Sequence, residues 1–164
     1  MNKRDKIAFT IYLVVNLLGM AFGITYLACP TVMPYHHRAI GVNWEDLGPG
    51  LQVMLVNFVN FAGAAFITGS LSCLIMLLIP FRNGELWAKR AVPLVLMVFN
   101  GFCLYVSASV AIKTDASPPW PLSIAVLIVI LTGYITSSGI EKPDNIGEEV
   151  LIHENRNQKE EETG

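Results

Sequence analysis

The side chains with the greatest chemical reach crowd into one short stretch: Tyr35, His36, His37 and Arg38, then Trp44, Glu45 and Asp46. Imidazole and carboxylate groups together can bind a metal ion or pass a proton. Their spacing argues for neither. Adjacent His36 and His37 point in different directions in any regular structure, and no H-x-x-x-H or H-E-x-x-H pattern brings two ligands onto one face. His36, His37, Glu45 and Asp46 are therefore the catalytic candidates that the chain offers, set against the plainer reading of hydrated residues touching lipid head groups. No metal site and no cofactor are expected. Cys29, Cys73 and Cys103 are an odd number, far apart, without a C-x-x-C, and read as small apolar filler.

The elements around that stretch are set by where charge is missing. The chain has 164 residues, 53% hydrophobic and only 15% charged, with a mean hydropathy of +0.51. A soluble domain carries charge on about a quarter of its residues. No Asp, Glu, Lys, Arg or His occurs in 7–35, 47–81, 91–112 or 116–140. About 20 apolar residues carry a helix across a bilayer, and each stretch is longer than that. The 35 residues of 47–81 are too few for two spans and a turn, which need roughly 40, so they make one long or tilted helix. Membrane strands alternate polar and apolar residues over about 10 positions, and these runs do not.

The expected fold is an all-α integral membrane four-helix bundle, up-down-up-down, over residues 1–140, with spans at about 7–28, 51–79, 91–112 and 121–139. Cys29-Pro30 ends the first helix, because proline disfavours helix in the residue before it. Asn43 with Asp46 three residues on resembles a helix start near Trp44, disturbed at Gly48-Pro49-Gly50. Pro80, Asn83 and Gly84 break the second span, and Pro93 is expected to kink the third. A lipoprotein-type cleavage before Cys29 is weighed and set aside in favour of a retained helix, since the apolar run exceeds that of a signal peptide.

Lys3, Arg4 and Lys6 precede the first span, and Arg82, Lys89 and Arg90 lie between the second and third; the other two links hold only Arg38 and Lys113. By the positive-inside rule this predicts a cell-membrane protein with both termini in the cytoplasm and links 29–46 and 111–120 outside. Residues 141–164 carry eight carboxylates against three cations, a net charge of −5, and are read as a disordered, acidic cytoplasmic tail or a docking segment for a basic partner.

Polar and small residues within the spans must face other helices, because unpaired polar groups are costly in hydrocarbon. Gly19 and Gly23 make a close-packing strip on the first helix, and Ala65 with Gly69 another on the second. Asn16, Ser70 and Asn100 fall near one depth, and with Thr132 are expected to form a single hydrogen-bonded layer that serves either packing or ligand binding. The fourth span, poor in polar residues, is expected to be the most lipid-exposed.

The missing residues exclude several activities. No histidine lies within a span to hold haem, no ionisable residue lies there to carry protons, and no phosphate-binding loop exists. Besides the lipid bilayer, the expected partner is a second copy of the chain or another membrane protein; no nucleic acid is expected. Two functions remain: assembly through helix contacts, or binding of a hydrophobic molecule such as a lipid or quinone, with or without catalysis at the outer surface.

Overall fold

A computed structural model describes residues 1–137. The acidic segment 141–164 and the last two residues expected in the fourth span lie outside the described residues. Among the described residues the fold is all-α, and four of its helices are long and apolar enough to cross a membrane.

Helix α1 covers Lys3–Ala28. Asn2 caps it by accepting from the Asp5 N–H at 2.8 Å, and Asp5 in the first turn suits the positive end of the helix dipole. It stops where Cys29 turns extended ahead of Pro30. The following link contains a helix that the hydrophobic pattern does not announce: α2, the seven residues Pro34–Ile40. Pro34 stands in its first turn, and Gly41 closes it in the left-handed region, φ 76°, donating to His37 O at 3.3 Å.

Asn43 and Asp46 do mark a turn, a 3-10 turn over Trp44–Asp46 in which Asn43 Nδ2 donates to Asp46 Oδ2 at 3.0 Å. It does not run on into the next span. Leu47 and Gly48 are extended, and α3 starts afresh at Pro49 and runs Pro49–Met76. A wider π turn, Leu77–Phe81, continues it around Pro80, which has no N–H to give and crowds the carbonyl four residues back. Together they make one 33-residue helix, Pro49–Phe81, as the uninterrupted apolar run implies. Gly84, at φ 87°, completes the turn into α4, Leu86–Lys113, which continues as helix through Pro93. Helix α5 covers Trp120–Ser137.

Successive long helices run in opposite directions. At one end, called basal here, the start of α1 meets the start of α4 through Asp5 and Lys89, and Tyr12 stacks edge-on against Phe81 at the end of α3. Gly133 near the end of α5 packs on Tyr12 and Ile11 at the same end. Helix α1 is central, with α3 on one side and α5 on the other; α4 packs on α5 and on the π turn.

The core is divided. A basal cluster joins Ala8, Tyr12 and Val15 to Cys73, Leu77, Phe81, Ala88, Val92, Leu96 and Ile130. A smaller distal cluster holds Tyr26, Val32 and Val59. All four buried residues of α4 lie between Ala88 and Leu96. The helix expected to be the most exposed is therefore not the one observed: 6% of the apolar window of α4 is buried, against 11% in α5 and 28% in α1 and α3. Gly133 is the reason, since it lets α5 approach the Tyr12 ring.

Candidate functional site

The polar residues that structure the distal end come from α1, α2 and α4. Tyr26, in the last turn of α1, is buried, and its hydroxyl shares a hydrogen bond with that of Tyr35 on α2. The His36 ring stands edge-on to Tyr26 at 6.2 Å and lies 4.1 Å from the Tyr35 ring. Cys103 of α4 is close enough to Tyr35 to act on it electrostatically. Phe22 packs on Tyr26 from within α1, and Phe66 of α3 touches Tyr26 and Phe99 of α4, so aromatic rings close the cluster on the side facing the middle of the helices.

Burial sets the protonation states here. It raises the Tyr35 phenol above its ordinary value of 10.0, and it lowers His36 below 6.5, with the nearby His37 adding to that effect. At neutral pH the site holds uncharged phenols and an uncharged imidazole. His36 Nδ1 is buried with no hydrogen-bond partner. Such a set can donate and accept hydrogen bonds to an uncharged polar group; it offers no anion and no cation.

The four catalytic candidates do not converge. His36 faces Tyr26 and Tyr35, while His37 turns to Trp44, ring centres 5.6 Å apart. Glu45 and Asp46 are exposed on the 3-10 turn, and among the described residues neither makes a hydrogen bond or ion pair with a histidine. No group of three His, Cys, Asp or Glu side chains among the described residues is placed to hold a metal ion. Two residues that the sequence does not mark as site candidates, Tyr26 in the last turn of α1 and Cys103 within α4, belong to the cluster.

Among the described residues no hydrogen bond joins Asn16, Ser70, Asn100 and Thr132 to one another. Asn16 and Ser70 are buried, but Asn16 donates to Tyr12 O at 2.8 Å, Asn100 to Leu96 O at 2.9 Å and Thr132 to Ile128 O at 2.8 Å. Each of the three bonds to the carbonyl four residues earlier in its own helix, and Thr132 is exposed. Local back-bonding occupies these donors, which depth alone does not reveal, while Asn16 Oδ1 stays buried without a hydrogen-bond partner. The tertiary neighbours are apolar or small: Ser70 Oγ sits against Gly19, and the Cys73 thiol approaches Val92 O at 3.9 Å.

The strip of Gly19 and Gly23 is occupied by α3 of the same chain. A Cβ on Gly23 falls 2.8 Å from Gly63 O, and one on Gly63 falls 2.8 Å from Gly23 O. Ala65 is exposed, and Gly69 makes only an ordinary contact with Phe99 at 4.0 Å.

At the basal end, Lys89 Nζ lies 3.0 Å from Asp5 Oδ2, with the aspartate side chain only 5% exposed. Nothing in the sequence signals this buried pair, because Asp5 reads as one acid among three cations. Trp87 Nε1 donates to Glu85 Oε2 at 2.6 Å beside it. At the distal end an open groove of about 340 Å³ is lined by Pro30, Thr31, Trp44, Gln52, Val56 and Asn57, among others.

No known protein family matches this chain, and no curated protein or solved structure is significantly similar to it. Its class is that of an all-helical protein with four helices long and apolar enough to span a membrane.

Proposed function

We propose that this is a multi-pass cell-membrane protein, both termini cytoplasmic, that acts by helix–helix assembly as its own oligomer or as a small subunit of a membrane complex. The orientation follows from Lys3, Arg4, Lys6, Arg82, Lys89 and Arg90 at the basal end against Arg38 and Lys113 at the other. The packing face is the distal half of α4, not the Gly19 and Gly23 strip, which α3 already fills. One observation supports this: beyond Leu96 no residue of α4 is fully buried, although Met97 packs on the core and Phe99 on Phe66, so the distal half of this 28-residue helix keeps an uncovered face. Asn100 and Ser107 in that half bond only to carbonyls of α4 itself, leaving their remaining capacity for a neighbouring helix.

The test is a cysteine scan in lipid discs, in a background with the native cysteines replaced by serine. Val98, Phe102 and Tyr105 are changed singly to cysteine, with Leu131 and Ile135 on α5 as equally exposed controls. Oxidative cross-links to a second copy or to a co-purified protein, confined to the α4 positions, support the assignment. Uniform absence of cross-links at all five removes it.

A second reading rests on His36. Its unpartnered Nδ1 beside two phenols suits a hydrophobic molecule with an uncharged polar head, a lipid or quinone, bound or transformed at the outer surface. Native mass spectrometry distinguishes the two: a discrete retained compound, lost on His36→Phe, favours this reading, and a ligand-free oligomer favours assembly.

A further inference from the structure

The basal rim of the helices is strongly basic and has few acids of its own. Lys3, Arg4 and Lys6 on α1, Arg82 in the turn after α3, and Arg90 on α4 are all exposed. Lys89 is spent on the buried Asp5. The remaining acid of the rim, Glu85, accepts from Trp87 Nε1. Phe81 packs against both Phe9 and Tyr12, and Asp5 bridges to α4, so these cations form one collar and not two separate patches.

The chain supplies the opposite charge at the same place. The described part of α5 reaches Ser137, and Gly133, one turn earlier, touches the Tyr12 ring. Tyr12 is six residues from Lys6 in α1, a rise of about 9 Å. Glu141 is four residues beyond Ser137, a reach of up to about 14 Å. The segment 141–164 carries a net charge of −5. It is tethered where the collar sits, so its local concentration far exceeds that of any free partner.

We propose that the basal collar of Lys3, Arg4, Lys6, Arg82 and Arg90 is the docking surface for this chain's own acidic segment 141–164. The contact is electrostatic, made by Glu148, Glu149, Glu154 and Glu160 to Glu162 with the exposed cations. Docking cancels most of the positive charge that the helices otherwise present to a membrane surface or an acidic protein. A partner that binds either the collar or the segment therefore has to displace the other.

The experiment is zero-length carbodiimide coupling of the full chain in phosphatidylcholine discs, with the coupled peptides identified by mass spectrometry. Amide links from the segment's glutamates to Lys3 or Lys6 are expected within one chain, established by mixing isotope-labelled and unlabelled protein before reconstitution. Their yield is expected to fall about threefold or more between 50 mM and 0.5 M salt, where the screening length drops to a few Å. The variant Arg4→Glu/Arg82→Glu/Arg90→Glu keeps both acceptor lysines and is expected to lose a similar fraction. Absent links at low salt, links only between chains, or a yield indifferent to salt and to the three substitutions each overturn the proposal. Discs with half phosphatidylglycerol decide between the segment and lipid head groups: persistent links support the segment, and their loss assigns the collar to anionic lipid instead.

Discussion

Gly23 and Gly63 face each other across α1 and α3 so closely that a single added carbon on either meets the other's carbonyl oxygen at 2.8 Å. Two backbones in contact gain dispersion along their whole crossing, and neither position has a side chain that can step aside. Gly23→Ala and Gly63→Ala are each expected to lower stability by about 1–3 kcal/mol, as overpacking does. Gly101 is the control: it lies within α4 and has nothing within 4 Å of its would-be Cβ, so Gly101→Ala is expected to raise stability by roughly 0.5–1 kcal/mol. Unfolding in mixed micelles measures all three. Equal effects at Gly23 and Gly101 contradict the crossing described here.

Asp5 and Lys89 are expected to be worth more broken than replaced. Removing one partner strands a buried charge at a cost of about 3 kcal/mol, whereas replacing both with apolar residues of similar volume is nearly neutral. Asp5→Leu and Lys89→Met should each destabilise, and the double variant should recover most of the loss. A double-mutant cycle reads the difference, and additive losses mean that the pair is not coupled.

His36 makes the packing of α2 dependent on pH. Its folded value lies below 6.5, so the stability it contributes is complete above pH 6.5 and is lost as the pH falls through the folded value. Protonation places a charge between Tyr26 and Tyr35, and α2 loosens. Hydrogen exchange at residues 33–40, corrected for the intrinsic effect of pH, is expected to accelerate in acid in the native chain and to stay flat in His36→Phe. Acceleration in both points to another titrating group.

Gly41 holds the end of α2 at φ 76°, where a side chain is strained. Gly41→Ala is expected to cost about 1 kcal/mol, confined to α2 and visible as faster exchange there with the long helices unchanged. Protection lost across the whole chain instead makes α2 part of the global folding unit.

The four apolar helices are legible in the sequence because hydrocarbon excludes charge, and the charge-free runs therefore outline the segments. Their ends are less so. Helix α1 starts at Lys3, four residues ahead of the charge-free run, because long cationic side chains let a helix continue past the apolar limit with their heads at the rim, whereas α4 starts at Leu86, within the 85–90 stretch that the sequence marks as a helix start. Pro34 and Gly41 are a helix start and stop in plain view, but seven residues are too few for periodicity to register between them. The Gly19 and Gly23 strip is readable as a close approach; which helix makes it is not, because periodicity marks a face and not its occupant. The partners of Asp5 and Tyr26 are hidden for a similar reason. Lys89 and Tyr35 reach them only after the chain has turned, and no spacing along one helix encodes that meeting.

The distribution of buried residues along α4 makes this helix a lever. It is clamped most firmly at its basal end by Ala88, Val92, Pro93 and Leu96, and the stretch from Leu96 to Lys113, about 25 Å long, is held less deeply, by Phe99 on Phe66 and by α5 alongside. A rotation of about 10° at the clamp moves the far tip by roughly 4 Å while displacing the clamping side chains by fractions of that. Small repacking around Phe81 and the π turn is thus magnified at the opposite end of the molecule, where Thr114 to Pro119 connect the tip of α4 to α5.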